Sequence, residues 1–368
     1  MTGPLTGVRV LELAGIGPGP FAAMLLADLG ADVVRVDRPE PGPLAAGDPR
    51  TDLLNRGKRS IVVDLKDPAG AGRVLDLAAK ADIVVEGWRP GVAERLGVGP
   101  DAALERNPAL VYGRMTGWGQ DGPLARTAGH DVDYIALAGA LHPIGAADGP
   151  PQIPLNLVGD FGGGSLYLVV GCLAALHVAR TTGVGQVVDA AIVDGTAHLT
   201  TMFAGFLATG AWRPQRGRNL LDGGAPFYAV YATADGGHMA VGALEPQFYA
   251  ELLRLLGLDA DPDLPAQHDV KGWPVLRERL TAVFATRTRA EWTAVFDGTD
   301  ACVSPVLSLA EAAGHPHLVA RGTFEVHNGI VQPAAAPRFS QTPGAIGGLP
   351  PVPGQHTDDV LKDWLGGP

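Results

Sequence analysis

Residues 8–37 read VRVLELAGIGPGPFAAMLLADLGADVVRVD, and the organisation of the whole chain follows from them. Val8 to Leu13 alternates as a strand does. A loop, Ala14 to Gly19, follows, and Pro20 opens a helix that Gly30 ends. Proline in the first turn and glycine past the last are ordinary helix punctuation. Ala31 to Asp37 is a second strand, so the stretch is a βαβ unit. It mimics a dinucleotide-binding fingerprint, including an acidic residue, Asp37, about 20 positions after the glycines. The third small residue that the fingerprint needs falls on Pro20, which argues against a nicotinamide or flavin site.

The pattern recurs outward. Ile61 to Leu65 reads as a strand, and Asp67-Pro68 starts a helix that runs to about Lys80. Ile83 to Glu86 and Leu110 to Met115 are further strands. Strands alternating with helices predict a large, doubly wound, Rossmann-like α/β domain with a parallel sheet. Ligands on such sheets bind in the loops at the carboxyl ends of strands. Arg38, Lys66, Arg89 and Arg95 gather there, and in a chain of net charge −11 that set fits a phosphate-bearing ligand.

Leu155 to Ser165, LNLVGDFGGGS, leads into the apolar run LYLVVGCLAALHVAR. Asp160 reads as a carboxylate at a helix start, where side-chain oxygens accept orphan N–H groups. The glycines beside it let a ligand approach the backbone, and first-turn N–H groups favour negative charge. The apolar run extends from Gly164 to Ala179 and is interrupted by Gly171, shorter than a bilayer requires. Beyond Gly185 comes a strand and then an apolar linker helix within 191–225, ending in the Arg-rich segment Trp212 to Asn219. Tyr228 to Leu244 is a hairpin candidate around Asp235-Gly236-Gly237. Glu245 stands as the N-cap of the next helix, and two more helices near 273–286 and 289–296 complete a smaller α+β domain over 226–324. Residues 1–190 with 325–368 form the large domain.

At 368 residues the chain has room for two domains, and 46% hydrophobic with 18% charged residues is the composition of a well-buried globular protein. The net negative charge argues against a nucleic-acid surface. Cys172 and Cys302 make no disulfide framework, which fits a reducing cytoplasm. No charged n-region followed by an apolar h-region opens the chain, and no Ser-Lys-Leu closes it, which adds to the cytoplasmic expectation. His315 and His317 lack the acidic or thiol neighbours that a metal site needs, so no metal is expected. His177 and His198 fall in helical runs and His356 in the tail. His130, after a glycine loop and beside Asp131, is the histidine read as functional. There is no Gly-x-Ser-x-Gly elbow and no phosphate-cradling Gly-Lys-Ser/Thr.

With those residues assembled, the chain resembles the family III coenzyme A transferase superfamily and, within it, the α-methylacyl-CoA racemase family. The wider family is carried by the opening stretch, LNRGKRSIVVDLK, GWRPGVAERLG, MTGWGQDGP and GQVVDAAIVDG. The racemase branch is carried by GHDVDY, LVGDFGGGS, LLDGGAPFYAVY and AVGALEPQFY. The resemblance implies an interlocked homodimer in which the small domain is inserted into the large CoA-binding domain. It implies a catalytic pair, His130 and Asp160, with Glu245 hydrogen-bonded to the histidine from one or other chain. It places coenzyme A contacts at Arg38, Val63, Asp64, Leu65, Lys66, Gly87, Trp88, Arg89, Arg95, Gly129, Asp131 and Tyr134. The implied reaction is epimerisation of 2-methylacyl-CoA thioesters in fatty acid metabolism, with no cofactor beyond the substrate's own CoA, and the N–H groups at the Asp160 helix start would hold the enolate oxygen. The alternative is a transferase in which Asp160 is the nucleophile.

Overall fold

The computed structural model describes residues 3–40 and 47–367; residues 1–2, 41–46 and 368 of the large domain lie outside the described residues. Two compact units are present, one made of Met1–Ala140, Pro154–Thr201 and Val319–Pro368, the other of Leu141–Ile153 and Met202–Leu318.

In the first unit, β1 (Arg9–Leu13), α1 (Pro18–Asp28) and β2 (Asp32–Asp37) form the expected βαβ. The helix starts at Pro18 rather than Pro20, because both prolines fit a first turn in which no N–H is needed. Next comes β3 (Arg59–Val62), two residues earlier than the apolar run suggests. Asp64 accepts the N–H of Lys66 at 2.9 Å and Asp67 that of Ala69 at 3.0 Å, so the chain turns after Val63 and enters α2 (Pro68–Ala78). There follow β4 (Ile83–Glu86), α3 (Val92–Arg95), α4 (Pro100–Arg106), β5 (Val111–Thr116) and α5 (Asp131–Leu137). A π-helical stretch, Leu157–Ser165, runs directly into α6 (Leu166–Thr182), and β6 (Gln186–Ala191) and α7 (Ile192–Leu199) follow.

The six strands are parallel in the order β3-β2-β1-β4-β5-β6, so the winding direction reverses between β1 and β4. Alternate residues of each strand feed two cores. Val10, Val33, Ile83 and Val111 meet α1 and α6 on one face; Leu11, Val34, Ile61 and Tyr112 meet α2, α4 and the last helix on the other. Each fully buried branched aliphatic contributes about 1.5–3 kcal/mol. Helix α6 lies close on the sheet because β5 carries Gly113, where a β-carbon would come within 2.8 Å of Cys172 Sγ.

The π-helical stretch and α6 make one helical run of 26 residues containing an 18-residue window of mean hydropathy 1.7, long and apolar enough to cross a membrane by length and composition. This exceeds the length read from the sequence, since nine residues taken for a loop and cap are helical. Leu168, Val169, Cys172, Ala175, Leu176 and Ala179 of the run are buried in the sheet's core.

The second unit takes in Leu141–Ile153 and resumes within α8 (Thr201–Ala208), whose first residue belongs to the first unit. The hairpin β7 (Tyr228–Ala232) and β8 (His238–Gly242) is joined by β9 (Val303–Pro305) in an antiparallel sheet. Helices α9 (Pro246–Leu256), α10 (Trp273–Phe284) and α11 (Arg289–Phe296) cover it around Phe227, Tyr231, Phe284 and Trp292. Two short helices, α12 (Leu309–Ala312) and α13 (Pro316–Ala320), lead back to the first unit, where β10 (Phe324–His327), β11 (Ile330–Pro333) and α14 (Thr357–Leu365) end the chain.

Three ion pairs are buried among the described residues of the first unit, and in one of them Arg114 of β5 donates to Glu86 of β4 at 2.8 Å. Arg56 binds Asp28 at 2.6 Å and also donates to Gln332 and to the Pro333 carbonyl. Lys58 Nζ donates to Glu12 at 2.6 Å, to the Pro20 carbonyl at 3.0 Å and to Asn55 at 3.1 Å. Replacing one partner of such a pair strands the other charge in the interior. Lys58→Met should therefore lower unfolding stability by about 3–5 kcal/mol, read from the urea midpoint with an unchanged slope.

Candidate active site

A cavity of about 330 Å³ opens at the carboxyl ends of β1, β4 and β5, where the winding reverses. Its walls are Ile16 to Gly19 after β1, Gly87 to Pro90 after β4, Met115 to Trp118 at the end of β5, part of the loop leading to His130, and Tyr134, Asp160 and Ile192. The loop wall is held by Tyr134, whose hydroxyl donates to the Gly129 carbonyl and whose ring meets Trp118 edge-on at 4.7 Å. Desolvation pushes the Tyr134 phenol up to about 12, and the negative charge of Asp160 adds to this.

His130 is the N-cap of α5, in extended conformation, and its backbone N–H donates to the Asp133 carboxylate at 2.9 Å. Its side chain is exposed into the cavity. Asp160 comes from a different element, the π-helical stretch. Asn156 donates to its Oδ2 at 3.2 Å, and Ser165 Oγ lies within hydrogen-bond distance of both its carbonyl and that of Pro18. Phe161 stacks on Phe21 of α1 with centroids 4.4 Å apart. Gly17 stands against Asp160: a β-carbon there would lie 3.4 Å from Oδ2, in a backbone with φ +68°. Burial raises the Asp160 carboxyl above the usual range; the Asn156 bond opposes this, the neighbouring Asp131 charge adds to it, and His130 lowers it.

Two expectations about Asp160 need correction. It is not an N-cap, because the helix begins three residues before it, at Leu157. Its backbone N–H is not open to an enolate either, being bonded to Asp131 Oδ1 at 2.6 Å.

Of the residues singled out by sequence, the cavity brings together Gly87, Trp88, Arg89, Gly129, His130, Tyr134 and Asp160. Arg38 and Val63 to Lys66 follow β2 and β3 on the same carboxyl edge of the sheet, and Arg95 ends α3, donating to the Gly91 carbonyl. None of these lines the cavity, and neither does the buried Asp131. Glu245 belongs to the second unit, exposed at the N-cap of α9 and making no side-chain cap bond. Sequence reading missed Asn156 and Ser165. Asn156 lies four residues before Asp160, a spacing that places the two together only once the segment is known to be helical.

The fold and the placement of this cavity define a class. The CoA-transferase family III model matches residues 5–357, and the chain belongs to that family. Within it, the chain is 46% identical over 363 residues to α-methylacyl-CoA racemase of Mus musculus, covering 98% of this chain and 93% of that one. It is 32% identical over 391 residues to the succinyl-CoA–D-citramalate CoA-transferase of Chloroflexus aurantiacus, covering 99% and 94%. Among solved structures, a CAIB/BAIF family protein from Brucella suis superposes with a TM-score of 0.85 at 26% identity, covering 99% of this chain and all of that one.

A carboxyl raised by folding opposes folding once the pH exceeds its unfolded value of about 3.9, and the penalty grows until the folded value is passed. Asp160→Asn should therefore raise Tm at neutral pH, and the gain should vanish below about pH 3.5. Calorimetry across that range checks both the sign and the pH window.

Proposed function

We propose that the chain interconverts (2R)- and (2S)-2-methylacyl-CoA thioesters through an enolate. The observation that carries this reading is one cavity holding an imidazole and a half-buried carboxyl on two different elements, at the carboxyl edge of the sheet. Inverting a carbon next to a thioester carbonyl needs a base on one face and an acid on the other. Neutral His130 takes the α-proton, and the C–H electron pair passes into the carbonyl as an enolate. Protonated Asp160 delivers a proton to the opposite face, and the roles exchange for the other epimer. Burial suits Asp160 to this part because it favours the proton-bearing form.

Arg38, Lys66, Arg89 and Arg95 along the carboxyl edge are the proposed CoA-phosphate contacts, with Val63 to Leu65, Gly87, Trp88, Gly129 and Tyr134 beside them. Glu245, exposed and free of capping duty, is proposed to hydrogen-bond His130 and stabilise the imidazolium, donated within an interlocked homodimer. Support for such a dimer comes from α6, where Leu166, Val170 and Val178 are exposed. In this reading the first unit binds the coenzyme, no metal or redox cofactor takes part, and the protein works in the cytoplasm on branched fatty acyl chains.

The test is to incubate one epimer of a 2-methylacyl-CoA with the protein in deuterated water. Deuterium should enter at the α-carbon as the epimer ratio moves toward equality. His130→Ala should slow exchange by about two to four orders of magnitude. Transfer of CoA to an added carboxylic acid without exchange would overturn the reading and make Asp160 the nucleophile of a transferase.

A further inference from the structure

Resemblance alone places Asp131 among the coenzyme contacts, but its carboxyl is engaged elsewhere. The residue is 7% exposed and does not line the cavity. Its Oδ1 accepts the backbone N–H of Asp160 at 2.6 Å, and the N–H of Gly159 also favours the ionised form of the carboxyl. The approach is so close that a β-carbon on Gly159 would stand 2.3 Å from that oxygen. Asp131 Oδ2 is buried with no hydrogen-bond partner among the described residues. A buried carboxylate oxygen without a donor leaves charge uncompensated, which is costly and therefore informative.

We propose that Asp131 is a positioning residue for proton transfer: Oδ1 fixes the turn that carries Asp160, and the uncompensated charge at Oδ2 disfavours a second negative charge on Asp160, keeping it in the proton-bearing form. The inference deepens the racemase reading and rests on it for its catalytic meaning. The other groups around the pair do not supply this effect. On α5, Asp133 is occupied by the His130 N–H, and Tyr134 by the Gly129 carbonyl. Asn156, on the loop entering the stretch, favours the ionised form of Asp160 through its hydrogen bond, and His130 does so through its charge. Arg89 reaches Tyr134 electrostatically from the loop after β4. What faces the stretch from α1 and α7 is uncharged, namely Gly17, the Pro18 carbonyl, Phe21 and Thr196. Asp131 is thus the carboxylate beside Asp160 that opposes its ionisation, and burial raises Asp131 itself against the pull of those two N–H groups.

Asp131→Asn separates grip from charge, since the amide oxygen can still accept the Asp160 N–H. The expected result is an unchanged KM for the acyl-CoA, a kcat about tenfold lower, and an acid limb of the kcat/KM profile displaced by about one pH unit toward acid. A second readout needs no catalysis. Carboxyl-¹³C NMR of aspartate-labelled protein, with Asp160 identified by its loss in Asp160→Asn, should show Asp160 titrating above the ordinary range in the native chain and lower in Asp131→Asn. An unchanged acid limb and titration would reduce Asp131 to a structural role. A raised KM with unchanged kcat would return it to the coenzyme. If Asp131→Asn does not fold, an ordinary Asp160 titration in the native chain overturns the proposal by itself. If the native chain shows no α-proton exchange, the racemase reading fails while the titration still decides the role of Asp131.

Discussion

Lys58 carries a charge with no exposed side-chain surface, and three oxygens on three segments answer it. Glu12 belongs to β1, the Pro20 carbonyl to the first turn of α1, and Asn55 to the approach to β3. That turn must therefore sit at a set height above the sheet, or a buried ammonium loses a partner. The same turn supplies one cavity wall, offers the Pro18 carbonyl to Ser165, and places Phe21 against Phe161. A chain of contacts thus runs from a buried lysine under the sheet's ligand edge to the residue that carries the half-buried carboxyl. None of its links is aimed at a substrate. Each one sets where Asp160 can be.

The site is where the fold accepts unfavourable terms. Asp131 and Asp160 are both drawn out of water, close enough that one charge works against the other. A core built only for stability would replace such a pair with apolar side chains. Two acids kept reluctant to ionise, beside an imidazole, form an arrangement whose use is chemical rather than structural. The surrounding cores on both faces of the sheet supply the stability that this arrangement draws on.

Much of this was legible before any coordinates. The βαβ at residues 8–37 shows itself because parallel strands are buried on both faces and read as dense apolar runs, while proline and glycine mark the helix ends. Asp160 stands out as a carboxylate among glycines ahead of an apolar run, and His130 because it follows a glycine loop beside Asp131. Two things were not legible. The π-helical winding of 157–165 has no compositional signature: its glycines suggest a loop and its aspartate a cap, and only packing against α1, α5 and α7 resolves the matter. The engagement of Asp131 was hidden for the same reason. It depends on two N–H groups nearly thirty residues away in sequence, presented by that winding. The end of β3 was misread more simply, since Val63 and Leu65 prolong an apolar pattern that Asp64 and Asp67 interrupt through local hydrogen bonds.

Each hydrogen bond of a π-helical stretch spans one residue more than those of the α-helix it feeds. Losing a single residue between Leu157 and Ser165 would let the segment relax to ordinary α-helical winding, a change that favours the backbone taken alone. It would also remove the widened turn through which the segment meets Gly17, Asn156 and Asp131 together. Chain length through this segment is therefore under tighter constraint than its composition. Over evolutionary time, insertions and deletions should collect in the connecting loops and spare these nine positions, even where the side chains around them have drifted.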